Sequence, residues 1–162
     1  MTFLFPIKKK VIEHSKPPWH IEPFHYKHFK LHNQFRLRKI LAIGKKDYVK
    51  KFLSNIKKEG FIPPNFIFTA NKENKVIGFV RYQITEDEKL HIYSIAVDYT
   101  KAEKGVSDAL VQKCIETAKN ANLSQIFAII QANNFFSLGL FKRNGFEIEF
   151  LNPYEWIATL NL

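Results

Sequence analysis

One apolar run, Gln125-Ile-Phe-Ala-Ile-Ile-Gln131, constrains this chain more than any other stretch. It is short enough for a strand and too continuous for a half-exposed one, so it reads as a strand buried on both faces. Upstream, Val106, Leu110, Cys114, Ala118 and Ala121 recur every three or four residues, which sets them on one helix face. Asp108, Gln112, Glu116 and Lys119 fall on another face, which suits water. Before the helix, Leu90–Val97 reads as a further strand. Strand, helix and strand predict a parallel pair joined by a right-handed crossover. Ligands of such folds bind at the carboxyl end of the sheet, where the first strand turns into the helix.

The rest of the chain supplies a mixed sheet around that unit. Residues 1–34 are broken by Pro6, Pro17, Pro18 and Pro23 and read as a basic, aromatic N-terminal extension. Trp19, Phe24, Tyr26 and Phe29 are expected to pack on the domain, which occupies residues 35–162. Phe35–Leu41 alternates as a strand, and Lys45–Lys58 gives a helix ended by Gly60. Phe66–Ala70, a turn at Asn71–Asn74, and Val76–Ile84 form a hairpin that leads through Thr85–Lys89 into Leu90–Val97. After Gln131 a second helix, Phe135–Asn144, starts at an Asn133 or Asn134 cap and stops at Gly145. Gly139 inside that helix is expected to permit a close backbone approach. Phe146–Leu151 and Tyr154–Leu160 close the chain as strands. The fold class is therefore α/β with a mixed sheet.

Charge and composition narrow the function. Residues 1–60 hold 15 Lys and Arg against 4 Asp and Glu, a net of +11, whereas residues 61–162 hold 10 against 11. The positive field of the first part is one to which nucleic acid, an anionic membrane surface or an acidic partner would respond. Its bland counterpart is the composition of a chain rich in Lys, Asn, Ile and Phe. No apolar run is long enough to span a bilayer. The basic residues of MTFLFPIKKK follow the apolar ones, the reverse of a secretory signal, so a cytoplasmic protein is expected. The single cysteine, Cys114, excludes an internal disulfide and reads as core. No metal site is expected. His25, His28 and His32 would share a helix face, but no cysteine and only Glu22 stand near them.

The loop before the first helix has the makings of an anion site. Gly105 allows close backbone approach, Lys101 and Lys104 add positive charge, and Ser107 brings a small hydroxyl. A second reading is open at the same place. Thr100-Lys-Ala-Glu103 fits a capping box that would start the helix at Lys101 and satisfy its free amides internally.

This loop and the second helix together resemble the GNAT acyltransferase superfamily over about residues 35–160. Val97 and Gly105 hold their places in the family's cofactor signature, while Ala102 stands for Gln or Arg and Ser107 for Gly or Ala. Asn134, Ser137, Phe141 and Gly145-Phe146 keep the spacing of a second motif. The resemblance implies strands at 90–97 and 125–131 that splay apart at their carboxyl ends and open a cleft above Gly105. It implies acetyl-CoA, or another acyl-CoA, as cofactor. Amides of Ala102, Glu103, Lys104, Gly105, Val106 and Ser107 would hold the pyrophosphate. The edge of Ile95, Ala96 and Val97 would meet the pantetheine arm, with Asn134, Ser137 and Phe141 beside it. Catalytic candidates are Tyr93 and Ser94, with His91 a further candidate base; alternation sets His91 and Tyr93 on one face and Ser94 on the other. The family's usual acid, a tyrosine, is Phe141 here.

Two functions follow. The first is N-acetyl transfer to an amine on a small molecule, a protein or an aminoacyl-tRNA. The second is a non-catalytic module of the same fold that binds nucleic acid or an acidic protein through residues 1–60.

Overall fold

The computed structural model describes residues 16–24, 65–98 and 104–162. Seven strands form one sheet in the order β1-β2-β3-β4-β5-β7-β6. They are β1 His20–Pro23, β2 Asn65–Lys72, β3 Lys75–Ile84, β4 Lys89–Val97, β5 Gln125–Gln131, β6 Glu147–Asn152 and β7 Glu155–Asn161. Helix α1, Val106–Asn120, joins β4 to β5, and helix α2, Phe135–Arg143, joins β5 to β6. Every pairing is antiparallel except that of β4 with β5.

The apolar face read for the first helix is the one that packs. Val106, Leu110, Val111, Cys114, Ile115 and Ala118 are buried on the sheet. At roughly 1.5–3 kcal/mol for each large apolar side chain, this burial outweighs differences in helix propensity. Ala121 is the exception; it is the exposed C-cap. Burial pushes the Cys114 thiol well above its usual range, as suits a core cysteine. In β2 and β3, Tyr82 stacks between Phe66 and Phe68 at centroid distances of 5.3 and 5.4 Å. Gly145 ends α2 in the left-handed region, φ 89°.

His20–Pro23, which falls in the expected extension, is the sheet's edge strand, with Ile21 paired to Ala70. Trp19 and Ile21 pack against the core. The strand expected at Phe35–Leu41, the helix at Lys45–Lys58 and most of the basic first 60 residues lie outside the described residues.

Gly139 makes no close approach. It is exposed, and apart from its chain neighbours and its own helix backbone no described atom lies within 4 Å of where its Cβ would be. Gly139→Ala is therefore expected to stabilise the protein by about 1 kcal/mol, the propensity difference in a helix, as a higher denaturation midpoint would show. Gly78, on β3, is the glycine that packing requires. A Cβ there would meet Ala96 O and Val97 Cγ1 at 3.1 Å and Val106 Cγ1 at 3.2 Å. It thereby lets the end of β4 and the start of α1 settle against β3.

Candidate active site

The site begins where β4 and β5 part. Lys89, Leu90 and His91 pair with Gln125, Ile126 and Phe127, and no later residue of either strand continues the ladder. The two strands are thus parallel neighbours that separate toward their carboxyl ends, as expected. Between them lies a cleft of about 440 Å³. Tyr93, Ser94 and Ile95 line it from β4, and Asn134, Ser137 and Phe141 from α2 and its cap. With His91, seven residues named from the sequence thus meet in one cavity.

A bulge shapes the β4 wall. Tyr82 pairs with Ile92 and Arg81 with Ser94, so Tyr93 is an extra residue on β4. Tyr82, Val80, Ile92 and Ile95 all face the core. Ser94, paired with Arg81, therefore shares the opposite face with Tyr93. Strict alternation would have sent Ser94 to the other side of the strand from His91 and Tyr93. The bulge corrects that expectation, because one inserted residue reverses facing downstream. His91, Tyr93 and Ser94 all reach the cleft.

These three side chains have distinct surroundings. The His91 ring lies 4.4 Å from Phe127, stacked, and 3.9 Å from Tyr93. The Arg81 guanidinium sits over the Tyr93 ring at 5.2 Å. Burial first, and the positive charge of Arg81 second, hold the His91 pKa below its ordinary 6.5. Neutral His91 thus has a free ring-nitrogen lone pair near neutral pH. Ser94 Oγ is buried with no hydrogen-bond partner among the described residues. An unsatisfied buried hydroxyl is costly.

On the far wall, Asn134 Oδ1 accepts from the Ser137 amide at 3.1 Å, so Asn134 rather than Asn133 caps α2. Phe141 is buried, edge-on to Phe146 at 5.0 Å. It offers no proton to a leaving group on that wall. For the acetyl transfer that the family resemblance implies, Phe141→Tyr adds one hydroxyl there and is expected to raise kcat modestly, well short of the roughly 10²- to 10⁴-fold of a well-positioned acid. Steady-state CoA release measures it; a clear fall in kcat at unchanged acetyl-CoA affinity would show that Phe141 serves packing instead.

Helix α1 starts at Val106, and its N-cap is Gly105 at φ 89°, with no side-chain cap hydrogen bond. The capping-box reading is thereby corrected: Thr100 does not cap α1, because the left-handed glycine sets the start five residues later. Ala102 and Glu103 lie outside the described residues. Lys104 and Gly105 are exposed, while the Val106 side chain belongs to the core and leaves only its backbone to the loop. Ser107 is buried and its Oγ accepts from Arg143 Nη2 at 3.4 Å. Gly105 itself does not line the cleft.

Several contributors were not legible beforehand. Arg143 donates to Asp108 from Nε at 2.6 Å and from Nη2 at 3.0 Å, and Asn144 Nδ2 donates to Asp108 at 2.8 Å. Gln112 Nε2 donates to Asn144 Oδ1 at 2.9 Å. Asp108 and Gln112, read as facing water, thus tie the first turns of α1 to the end of α2. The Arg143 hydrogen bonds hold the Asp108 carboxyl below its usual range. Ile129, Gln131 and Glu155 also line the cleft. Nothing local in the sequence marks any of them.

A mixed sheet split at one parallel pair, with a glycine-led helix start at the split strand's end, defines the GNAT architecture. The Acetyltransferase (GNAT) family model matches residues 17–146, and the chain belongs to that family. It is 29% identical over 87 residues to the uncharacterized protein YxbD of Bacillus subtilis (strain 168). That match covers 52% of this chain and 53% of YxbD, so the chain spans about half the length of this curated relative. Among solved structures it is similar to the PaiA N-acetyltransferase of Thermoplasma acidophilum in complex with coenzyme A. The TM-score is 0.70 at 14% identity, covering 89% of this chain and 99% of that one. It is also similar to a GNAT family acetyltransferase of Elizabethkingia anophelis with acetyl-CoA bound. There the TM-score is 0.67 at 17% identity, with 91% and 100% covered. At such identities these structures establish the fold alone. Among the described residues, no helix is long and apolar enough to cross a membrane.

Proposed function

We propose that this protein is an acyl-CoA-dependent N-acetyltransferase that moves acetyl from acetyl-CoA to an amine. The observation that carries the reading is the cleft opened by the parting of β4 and β5, lined by His91, Tyr93 and Ser94 on one wall and by Asn134, Ser137 and Phe141 on the other. The residues present fit the cofactor. The separated strand edge of Ile95–Val97 leaves backbone groups for an extended amide-bearing arm, and Asn134, Ser137 and Phe141 form the opposite side. The exposed backbone at Lys104 and Gly105, with the first amides of α1, suits a pyrophosphate. The two bound relatives, with coenzyme A in one and acetyl-CoA in the other, support the same reading.

When bound, acetyl-CoA supplies an activated acetyl thioester and a thiol leaving group. The chain's part is to orient the amine, to take its proton and to receive developing charge. Neutral His91 takes the proton and returns it to solvent. Tyr93 flanks the same wall, where its hydroxyl orients the amine or a water between amine and imidazole. Ser94 Oγ donates toward the reacting carbonyl oxygen, alongside a backbone N–H of β4. Calorimetric titration with acetyl-CoA, followed by CoA release against a panel of amines, tests the proposal. Saturable binding with amine-dependent release is the expected outcome; no binding would refute it.

A further inference from the structure

The cleft has a charge pattern that bears on its acceptor. Among the described residues lining it, Glu155 is the only carboxylate; the cation described near the cleft is Arg81, over the Tyr93 ring on the β4 side. Glu155 opens β7 and lies opposite Gln131, at the carboxyl end of β5. The β6–β7 turn fixes it there. Asn152 Oδ1 accepts from the Tyr154 amide at 2.9 Å, and Asn152 Nδ2 donates to Glu155 Oε2 at 2.9 Å. A carboxylate in the lining of a cleft, with one oxygen held by a neutral amide and no cation paired to it among the described residues, is suited to a cation.

The surface between Glu155 and the bulge is apolar. Ile129 is 44% exposed and Tyr93 45%, unusually open for cleft-lining residues of this size. β5, which carries Ile129, runs between β4 and β7. At about 4.8 Å per strand, Glu155 therefore stands roughly 10 Å or more across the sheet from β4. A nitrogen ion-paired with Glu155 stays protonated, whereas the nitrogen that attacks must be neutral. One nitrogen cannot serve both places.

We propose that the acceptor is an aliphatic amine bearing a second cationic group. The reacting nitrogen lies at the β4 bulge, the second group at Glu155, and the methylene stem over Ile129 and Tyr93. This inference rests on the acetyltransferase reading above.

Matched probes test it in the full-length protein: 1,5-diaminopentane, and pentylamine, which lacks the second charge. The diamine is expected to show a kcat/KM roughly 10- to 100-fold above pentylamine, the range of a charged hydrogen bond. Glu155→Gln keeps a carbonyl for Asn152 and removes the charge. It should erase that preference through KM, leaving pentylamine turnover and acetyl-CoA affinity unchanged. Direct calorimetric titration of 1,5-diaminopentane should show the same loss without any turnover. Equal use of both amines, or an equal fall for both in Glu155→Gln, would overturn the proposal. If acetyl-CoA does not bind, the acetyltransferase reading fails by itself, and the diamine titration still decides. Saturable binding weakened by Glu155→Gln supports the site, and its absence overturns it.

Discussion

Gly105→Val is expected to weaken acetyl-CoA binding by about 10²-fold or more while the protein remains folded. Gly105 sits at φ 89° as the N-cap of α1, a region that costs an L-residue about 1–2 kcal/mol and a β-branched one more. Space in the core is not the difficulty. An added Cβ would meet only the edge of Trp19, at 4.0 Å. The cost falls on the loop. Either residue 105 leaves the left-handed region and turns the neighbouring amides away, or its side chain stands where a phosphate must approach. Losing two charged hydrogen bonds, each worth about 1.5–3 kcal/mol, lowers affinity by about 10²-fold or more. Calorimetric titration with a thermal melt as folding control measures this. Unchanged affinity in a folded variant would remove the loop from the site.

His91→Gln is expected to lower kcat by about 10²-fold or more, the usual contribution of a positioned base, with acetyl-CoA affinity unchanged. The pH dependence makes the role specific. Burial and Arg81 hold the His91 pKa below 6.5, so wild-type kcat at saturating amine should carry an ascending limb that ends below that value, whereas kcat/KM rises further as the free amine loses its proton at about 10.4. The variant should lack this limb. Arg81 and Tyr93 are the charged and titratable groups in contact with the array, and Gln replaces neither. The same depression has a sign in stability. The native state binds fewer protons at His91 than the unfolded chain does, so the contribution is complete above about 6.5 and is lost as pH falls through the folded value. A variant that keeps the wild-type ascending limb would show that another group accepts the proton.

What the sequence makes legible here is what is written locally. The continuous apolar run at 125–131 and the 3.6-residue period from Val106 to Ala118 specify a buried strand and its covering helix, and the parallel pair follows from their order. Gly145 is readable because a helix stop needs a left-handed residue. The rest depends on partners far along the chain. The bulge at Tyr93 exists only relative to β3, so alternation within β4 misassigns Ser94. Arg143 meets Asp108 from 35 positions away, and no periodicity encodes that meeting. Glu155 enters the cleft because β7, not β6, lies beside β5. The four-residue β1 is too short and too close to prolines to show a period. At the helix start, the local capping pattern Thr100–Glu103 competes with Gly105 for the same role, and the glycine prevails because only it takes the left-handed turn without strain.

Acetyl transfer in this cleft is followed with acetyl-CoA that carries an isotopically marked acetyl. With 1,5-diaminopentane and pentylamine among the acceptors, marked amide is expected in the product. One free thiol is expected for each amide formed, in a reaction that His91→Gln suppresses. Acetyl-CoA that binds yet keeps its label through every amine offered, with no thiol released above the protein-free rate, would contradict that transfer.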